Sequence, residues 1–302
     1  MKVLYHILYS FIWLLSLLPL SVLYLISDMV AFVLYHVVKY RRGIVRKNLT
    51  NSFPEKSEEE ITKIEKDFYL YLCDTFIEAF KMVNMSEKEF TQRMKFTNTE
   101  LADRINQEGR SIIALMAHCG NWEWISYINA FLPYCQVGCL YRPQKNKNFD
   151  QLFVDLRQLH GTVAIPKNDV LRFVINSLKE KKTFLLGVLA DQTPSKNNLH
   201  YWTTFLNQET PFLNGMERIA KKQDLAVIYF DIKRIKRGYY ECDLVLISEH
   251  AKDAPEHEIT DRYVELLEKN IQRSPQCWLW SHKRWKYSFD DATPNAVFRQ
   301  RK

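Results

Sequence analysis

The chain has 302 residues, enough for one large α/β domain or two small ones, and its 25% charged, 47% hydrophobic composition excludes disorder and collagen. Lys and Arg outnumber Asp and Glu by 42 to 35, a net charge of +7 that suits an anionic partner: a membrane, a phosphorylated substrate or a nucleic acid. Between Val3 and Val38 the one formally charged residue is Asp28, yet mean hydropathy over the whole chain is −0.29, so a polar domain is joined to an apolar N-terminus.

That apolar run exceeds a signal-peptide core and shows no small-x-small cleavage site, so it is expected to be retained. A crossing takes roughly 20 apolar residues, and one transmembrane helix fits. Pro19 and Asp28 equally allow two shorter helices, Leu4–Leu18 and Ser21–Tyr40, lying against or dipping into a bilayer. Lys39, Arg41, Arg42, Arg46 and Lys47 follow, a cluster that marks the cytoplasmic side and can hold anionic headgroups. Residues 1–48 therefore read as a hydrophobic membrane anchor with a basic flank, and 49–302 as one domain without linker or repeat. The six cysteines show neither a CxxC pair nor zinc-ligand spacing and read as thiols in a reducing compartment.

Past Asn48 the pattern turns amphipathic. Ser57 with Glu60 forms a capping box that opens a helix running to about Met82, and Ser86 with Glu89 repeats it for a helix ending near Met94. Thr99–Gln107 is a third helix, closed by Gly109. Strands and helices then alternate: strand Ile112–Ala117, helix Asn121–Phe131, strand Gln136–Tyr141, helix Phe149–His160, strand Val163–Ile165, helix Asp169–Lys179, strand Phe184–Leu189. Helix Asn214–Gln223 precedes strand Leu225–Ile232, which pairs antiparallel with Tyr239–Ile247 around Lys236–Gly238, and helix Glu258–Arg273 is last. The alternation predicts an α/β fold, a mostly parallel central sheet flanked by helices.

The segment carrying chemistry is Ser111–Trp124. A buried strand delivers His118 to a turn at its carboxyl end, the edge where open α/β sheets bind ligands. On a continuous helix His118 and Glu123 would lie ~140° apart, so they meet only if the chain bends, which Gly120 permits. A histidine held by a carboxylate can take a proton from a hydroxyl. Such spacing is common in structural roles, and its weight comes from the strand–turn–helix context. Motifs for a serine nucleophile, a P-loop, a dinucleotide site and a zinc protease are absent. Cys119 points away from His118 on an extended chain, which disfavours a Cys–His nucleophile.

His118-Cys-Gly-Asn-Trp-Glu123 resembles the HX4D/E box of the lipid A biosynthesis acyltransferases, the lauroyl and myristoyl transferases. Four further blocks are similar to that family's in order and spacing over residues 1–287: Tyr40-Arg41-Arg42 with Asn48-Leu49 and Ser52-Phe53-Pro54, Tyr141-Arg142-Pro143, Ala190-Asp191-Gln192-Thr193, and Trp278 to Trp285. The loop after Asp191 lacks the glycine expected there. The resemblance implies a fatty acyl chain moving from an acyl carrier protein thioester to a hydroxyl of a lipid A precursor, on the cytoplasmic face of the inner membrane. It implies no cofactor beyond that donor. His118 would be the general base and Glu123 its orienter. Arg142 would bind a phosphate or the developing oxyanion, Asp191 would align the acceptor or Arg142, and Gln192 would offer its amide to a carbonyl or sugar hydroxyl.

The tail interleaves His282, Lys283, Arg284 and Lys286 with Trp278, Trp280 and Trp285, which suits either a membrane interface or a core packed with tryptophan. Two other functions fit less of the sequence. One is acylation of a different glycolipid or a lysophospholipid. The other is a non-catalytic adaptor using its basic groups on nucleic acid, which has no need of a His–Glu box; no nucleic-acid partner is expected.

Overall fold

In the computed structural model, which describes residues 2–300 with side chains from Tyr5 onward, the apolar N-terminus folds as two helices broken at Pro19. They are α1 (Lys2–Ser16) and α2 (Leu20–Phe32), the second continuing through a π-helical turn, Val33–Val37. Proline fits the start of α2 because its missing N–H falls where a helix has no internal partner. Leu20–Val37 is the one helix among the described residues long and apolar enough to cross a membrane, and 28% of it is buried against the rest of the protein. The basic flank enters α3 (Arg42–Ser52), a helix not foreseen in the sequence. Arg42 and Arg46 both pair with the buried Glu65, at 3.0 and 2.5 Å, and Arg41 donates to the Ser281 carbonyl. Lys39 and Lys47 remain exposed.

Ser57 and Glu60 close the expected capping box at the start of α4 (Glu58–Lys81). Ser86 likewise caps α5 (Glu87–Arg93), while Glu89 turns to Arg93 rather than back to the cap. Strand β1 (Met94–Thr97) and helix α6 (Thr99–Gln107) follow. The alternating part runs β2 (Ile112–Met116), β3 (Gln136–Tyr141), α7 (Lys147–Gln158), β4 (Val163–Pro166), α8 (Val170–Lys179) and β5 (Phe184–Leu189). The expected helix at Asn121–Phe131 is instead a 3₁₀ stretch, Trp124–Phe131, preceded by an irregular turn. The chain closes with β6 (Tyr201–Phe205), β7 (Gln208–Phe212), α9 (Gly215–Gln223), β8 (Ala226–Lys236), β9 (Tyr239–Ser248), α10 (Glu258–Arg273) and β10 (Val297–Arg299).

Seven strands form one sheet in the order β1-β9-β8-β2-β5-β3-β4. Its five consecutive strands from β8 to β4 are parallel, and the predicted β8–β9 hairpin turns the edge antiparallel. Strand β2 lies between β5 and β8 with all five residues buried, which is why it reads as an unbroken apolar run. A second sheet, β10-β6-β7, was not visible in the sequence. The tail takes the core alternative rather than the membrane interface: Trp278 and Trp280 are buried edge to face on each other, and Arg284 is buried with its guanidinium over Phe212.

Candidate active site

Two neighbouring strands bring the site together. Register pairs Met116 at the end of β2 with Leu189 at the end of β5, so His118 and Asp191, each two residues further on, stand side by side at the carboxyl edge. The Ala190 amide extends the ladder by donating to the Met116 carbonyl at 3.0 Å. His118 Nδ1 lies 2.7 Å from Asp191 Oδ1, and the His118 backbone N–H donates to Asp191 Oδ2 at 3.1 Å. Trp278 Nε1 donates to Asp191 Oδ2 as well, at 2.9 Å.

Asp191 is buried and its charge is fully served. Burial alone would raise its pKa, but the His118 ring and amide and the Trp278 indole outweigh that and hold the carboxyl at about 2. Its carboxylate keeps the Nδ1 proton on His118 and leaves a lone pair on Nε2. Gln192 Nε2 lies 3.3 Å from that second ring nitrogen, on an exposed side chain.

Glu123 does not orient the ring as the sequence suggested. Its carboxylate takes a two-pronged ion pair from Arg157 on α7, at 2.9 and 2.6 Å, and a 3.2 Å bond from Trp122 Nε1. The reason is the turn: Gly120 adopts φ +58°, and a Cβ there would run into Ile232, so the chain reverses and aims Glu123 towards α7. Trp122 in turn lies edge-on to the His118 ring, 5.0 Å between centroids. Glu123 therefore borders the site through Trp122, and Asp191 is the carboxylate in contact with the His118 ring.

The 191–193 loop is fixed from the tail. Thr193 N–H donates to His282 Nε2 at 3.1 Å, and its hydroxyl donates to the carbonyls of Lys283 and Arg284. Asn48 on α3 donates to the carbonyls of Trp280 and His282, tying the N-terminal blocks of the sequence to the same tail. Arg142 stands exposed at the end of β3, one strand beyond β5, on the same sheet edge but outside the hydrogen-bonded His118 cluster. Arg157, Trp278, His282 and Thr193 were not singled out as site residues in the sequence. The Trp278–Trp285 block pointed to Trp278 and His282 and the Ala190–Thr193 block to Thr193, while Arg157 lies in no quoted block. Cys119 is buried with its thiol pushed well above the usual range by desolvation, which makes it a poor nucleophile.

Comparison with known proteins points to one family. The profile of the family described as bacterial lipid A biosynthesis acyltransferase matches residues 2–287. The chain is 21% identical over 278 residues to the lipid A biosynthesis palmitoleoyltransferase of Escherichia coli (strain K12), covering 91% of this chain and 88% of that protein. It is 19% identical over 249 residues to a lipid A biosynthesis acyltransferase of Haemophilus influenzae, covering 81% and 76%.

Proposed function

The chain belongs to the bacterial lipid A biosynthesis acyltransferase family and is an enzyme of acyl transfer in lipid A biosynthesis, and within that class we propose that it moves a fatty acyl chain from an acyl carrier protein thioester to a hydroxyl of a lipid A precursor at the cytoplasmic face of the inner membrane. The observation that carries the mechanism is the His118 ring, locked through Nδ1 to the buried Asp191 with Nε2 facing the exposed Gln192. Nε2 takes the proton of the acceptor hydroxyl as its oxygen attacks the thioester carbonyl. Asp191 stabilises the imidazolium that forms. Collapse of the tetrahedral intermediate breaks the C–S bond, and the imidazolium returns its proton to the departing thiolate, leaving an ester and a free carrier thiol.

In this reading Gln192 swings from Nε2 to let the acceptor hydroxyl in and then donates to the acceptor sugar. Arg142 receives a phosphate of the precursor, a group matched by a planar guanidinium. Glu123, through Arg157 and Trp122, fixes the wall beside the ring. The apolar N-terminus and the net charge of +7 support attachment to an anionic membrane.

Two measurements test the proposal. The purified full-length enzyme should transfer the acyl chain from carrier thioester to lipid A precursor, and His118→Ala should reduce turnover about 10³-fold or more while staying folded. Mass spectrometry of lipids from a deletion strain should show lipid A short of one acyl chain. Turnover at the wild-type rate by His118→Ala, or unaltered lipid A alongside a changed glycolipid, would sink it.

A further inference from the structure

Helix α4 carries a buried polar stripe on one face: Asp74, Glu78 and Lys81, spaced four and three residues apart. Each member meets the N-terminal helices. Asp74 accepts from Ser27 Oγ at 2.7 Å, Glu78 Oε1 from the Tyr24 hydroxyl at 2.7 Å, and Lys81 Nζ caps the end of α1 at the carbonyls of Ser16 and Leu18. Arg237, in the turn between β8 and β9, bridges Asp74 to Asp28. The fit is close: a Cβ at Gly238, where φ is +72°, would run into the Tyr24 hydroxyl.

The same stripe faces the catalytic turn. Glu78 Oε2 accepts from Asn121 Nδ2 at 2.7 Å and from the Tyr240 hydroxyl at 2.8 Å, and the Glu78 carbonyl accepts from Trp124 Nε1. Asn121 Oδ1 accepts the Trp124 amide, and Tyr71, two turns earlier on α4, donates to the Gly120 carbonyl at 2.6 Å. One buried carboxylate thus joins the second N-terminal helix to the turn between His118 and Glu123. Burial raises the pKa of Glu78, and the Tyr24 and Tyr240 hydroxyls offset part of that rise.

We infer that α1 and α2 are part of the catalytic scaffold as well as an attachment: Glu78 is a positioning residue that couples the seating of Tyr24 to the conformation of the Gly120–Asn121 turn, and so to the His118 ring. Removing the Tyr24 end frees the carboxylate to rotate, and the turn that aims His118 loses one side of its support. The inference rests on the acyl-transfer reading for its kinetic test, so a second readout that needs no turnover accompanies it.

With full-length protein, carrier-bound acyl donor and lipid A precursor, Tyr24→Phe should lower kcat roughly fivefold or more, leaving the precursor KM and the membrane-bound fraction unchanged. Glu78→Leu should lose more. Glu78→Gln should recover most of the rate, because its amide oxygen accepts from Asn121 and Tyr240 while its N–H donates to the Tyr24 oxygen. Independently, carbethoxylation of His118 by diethyl pyrocarbonate, followed by peptide mass spectrometry, should change in rate about threefold or more in Tyr24→Phe and Glu78→Leu. Wild-type kcat and wild-type His118 reactivity in both variants overturn the coupling. So does an activity loss that tracks loss of folded protein and is equal in Glu78→Leu and Glu78→Gln. An inactive wild type counts against the donor and acceptor proposed above, and the reactivity of His118 then decides the coupling alone.

Discussion

His282 shows how a residue that looks like a spare cation works in the folded chain as a neutral acceptor. Burial pushes its imidazole down to about 4, Asp191 opposes that fall, and the positive charges of Arg284 and Arg41 assist it. Neutral Nε2 is what accepts the Thr193 amide and holds the loop that carries Asp191 and Gln192. Because the folded value lies below the ordinary 6.5, the unfolded chain takes up this proton first. The stability contributed is complete above pH 6.5 and is lost as pH falls towards 4. The melting temperature of the wild type should therefore drop across that interval, and His282→Gln, which keeps an acceptor without a proton to gain, should flatten the decline. Identical slopes for the two proteins would show that Thr193 is held by other contacts.

At the scale of elements, the Glu123–Arg157 pair joins the box turn to α7. Arg157→Met leaves Glu123, whose side chain is 10% exposed, without its counter-charge. We expect it to lower the urea midpoint by an amount equivalent to about 2 kcal/mol, short of the range for fully buried pairs because Arg157 is partly solvated. Adding Glu123→Gln should restore much of the loss, and a double variant no more stable than Arg157→Met would show that the pair contributes no coupling. The central strands were legible because β2, β5 and the first half of β8 are buried on both faces and so read as apolar runs. The small sheet was not. Its hairpin turns at Leu206 and Asn207, both with positive φ, where the usual signal is Asn-Gly, and β7 carries Pro211. The candidate base was legible from its strand end and glycine turn. Its partner was not, because His118 and Asp191 are 73 residues apart and only the register of β2 against β5 joins them.

For the whole molecule, the two N-terminal helices have two unlike faces. One is tied by Ser27, Tyr24 and Asp28 to the domain, and the other exposes Ile7, Phe11, Leu14, Leu25, Met29, Phe32 and Val37. Deleting residues 1–38 to obtain a freely soluble enzyme would uncover Asp74, Glu78 and Lys81 and strip them of partners they have while buried. The truncated chain should unfold at a clearly lower denaturant concentration than the full chain in detergent, by on the order of 3 kcal/mol. Equal midpoints would mean that water replaces those contacts without loss.

The Asp28–Arg237 contact also sets a timetable. The two residues are 209 positions apart, so at ribosomal speeds Arg237 emerges on the order of 10–40 s after Asp28. For that interval the nascent helices are complete, apolar on one side, and without the turn between β8 and β9 that will clamp the other. Helix α4 emerges within that interval and can already cover their inner side, because Asp74 and Glu78 follow Ser27 and Tyr24 by only 47 and 54 positions. The order of synthesis thus favours seating the helices on α4 first and assembling the central sheet upon them, with the Arg237 clamp closing late.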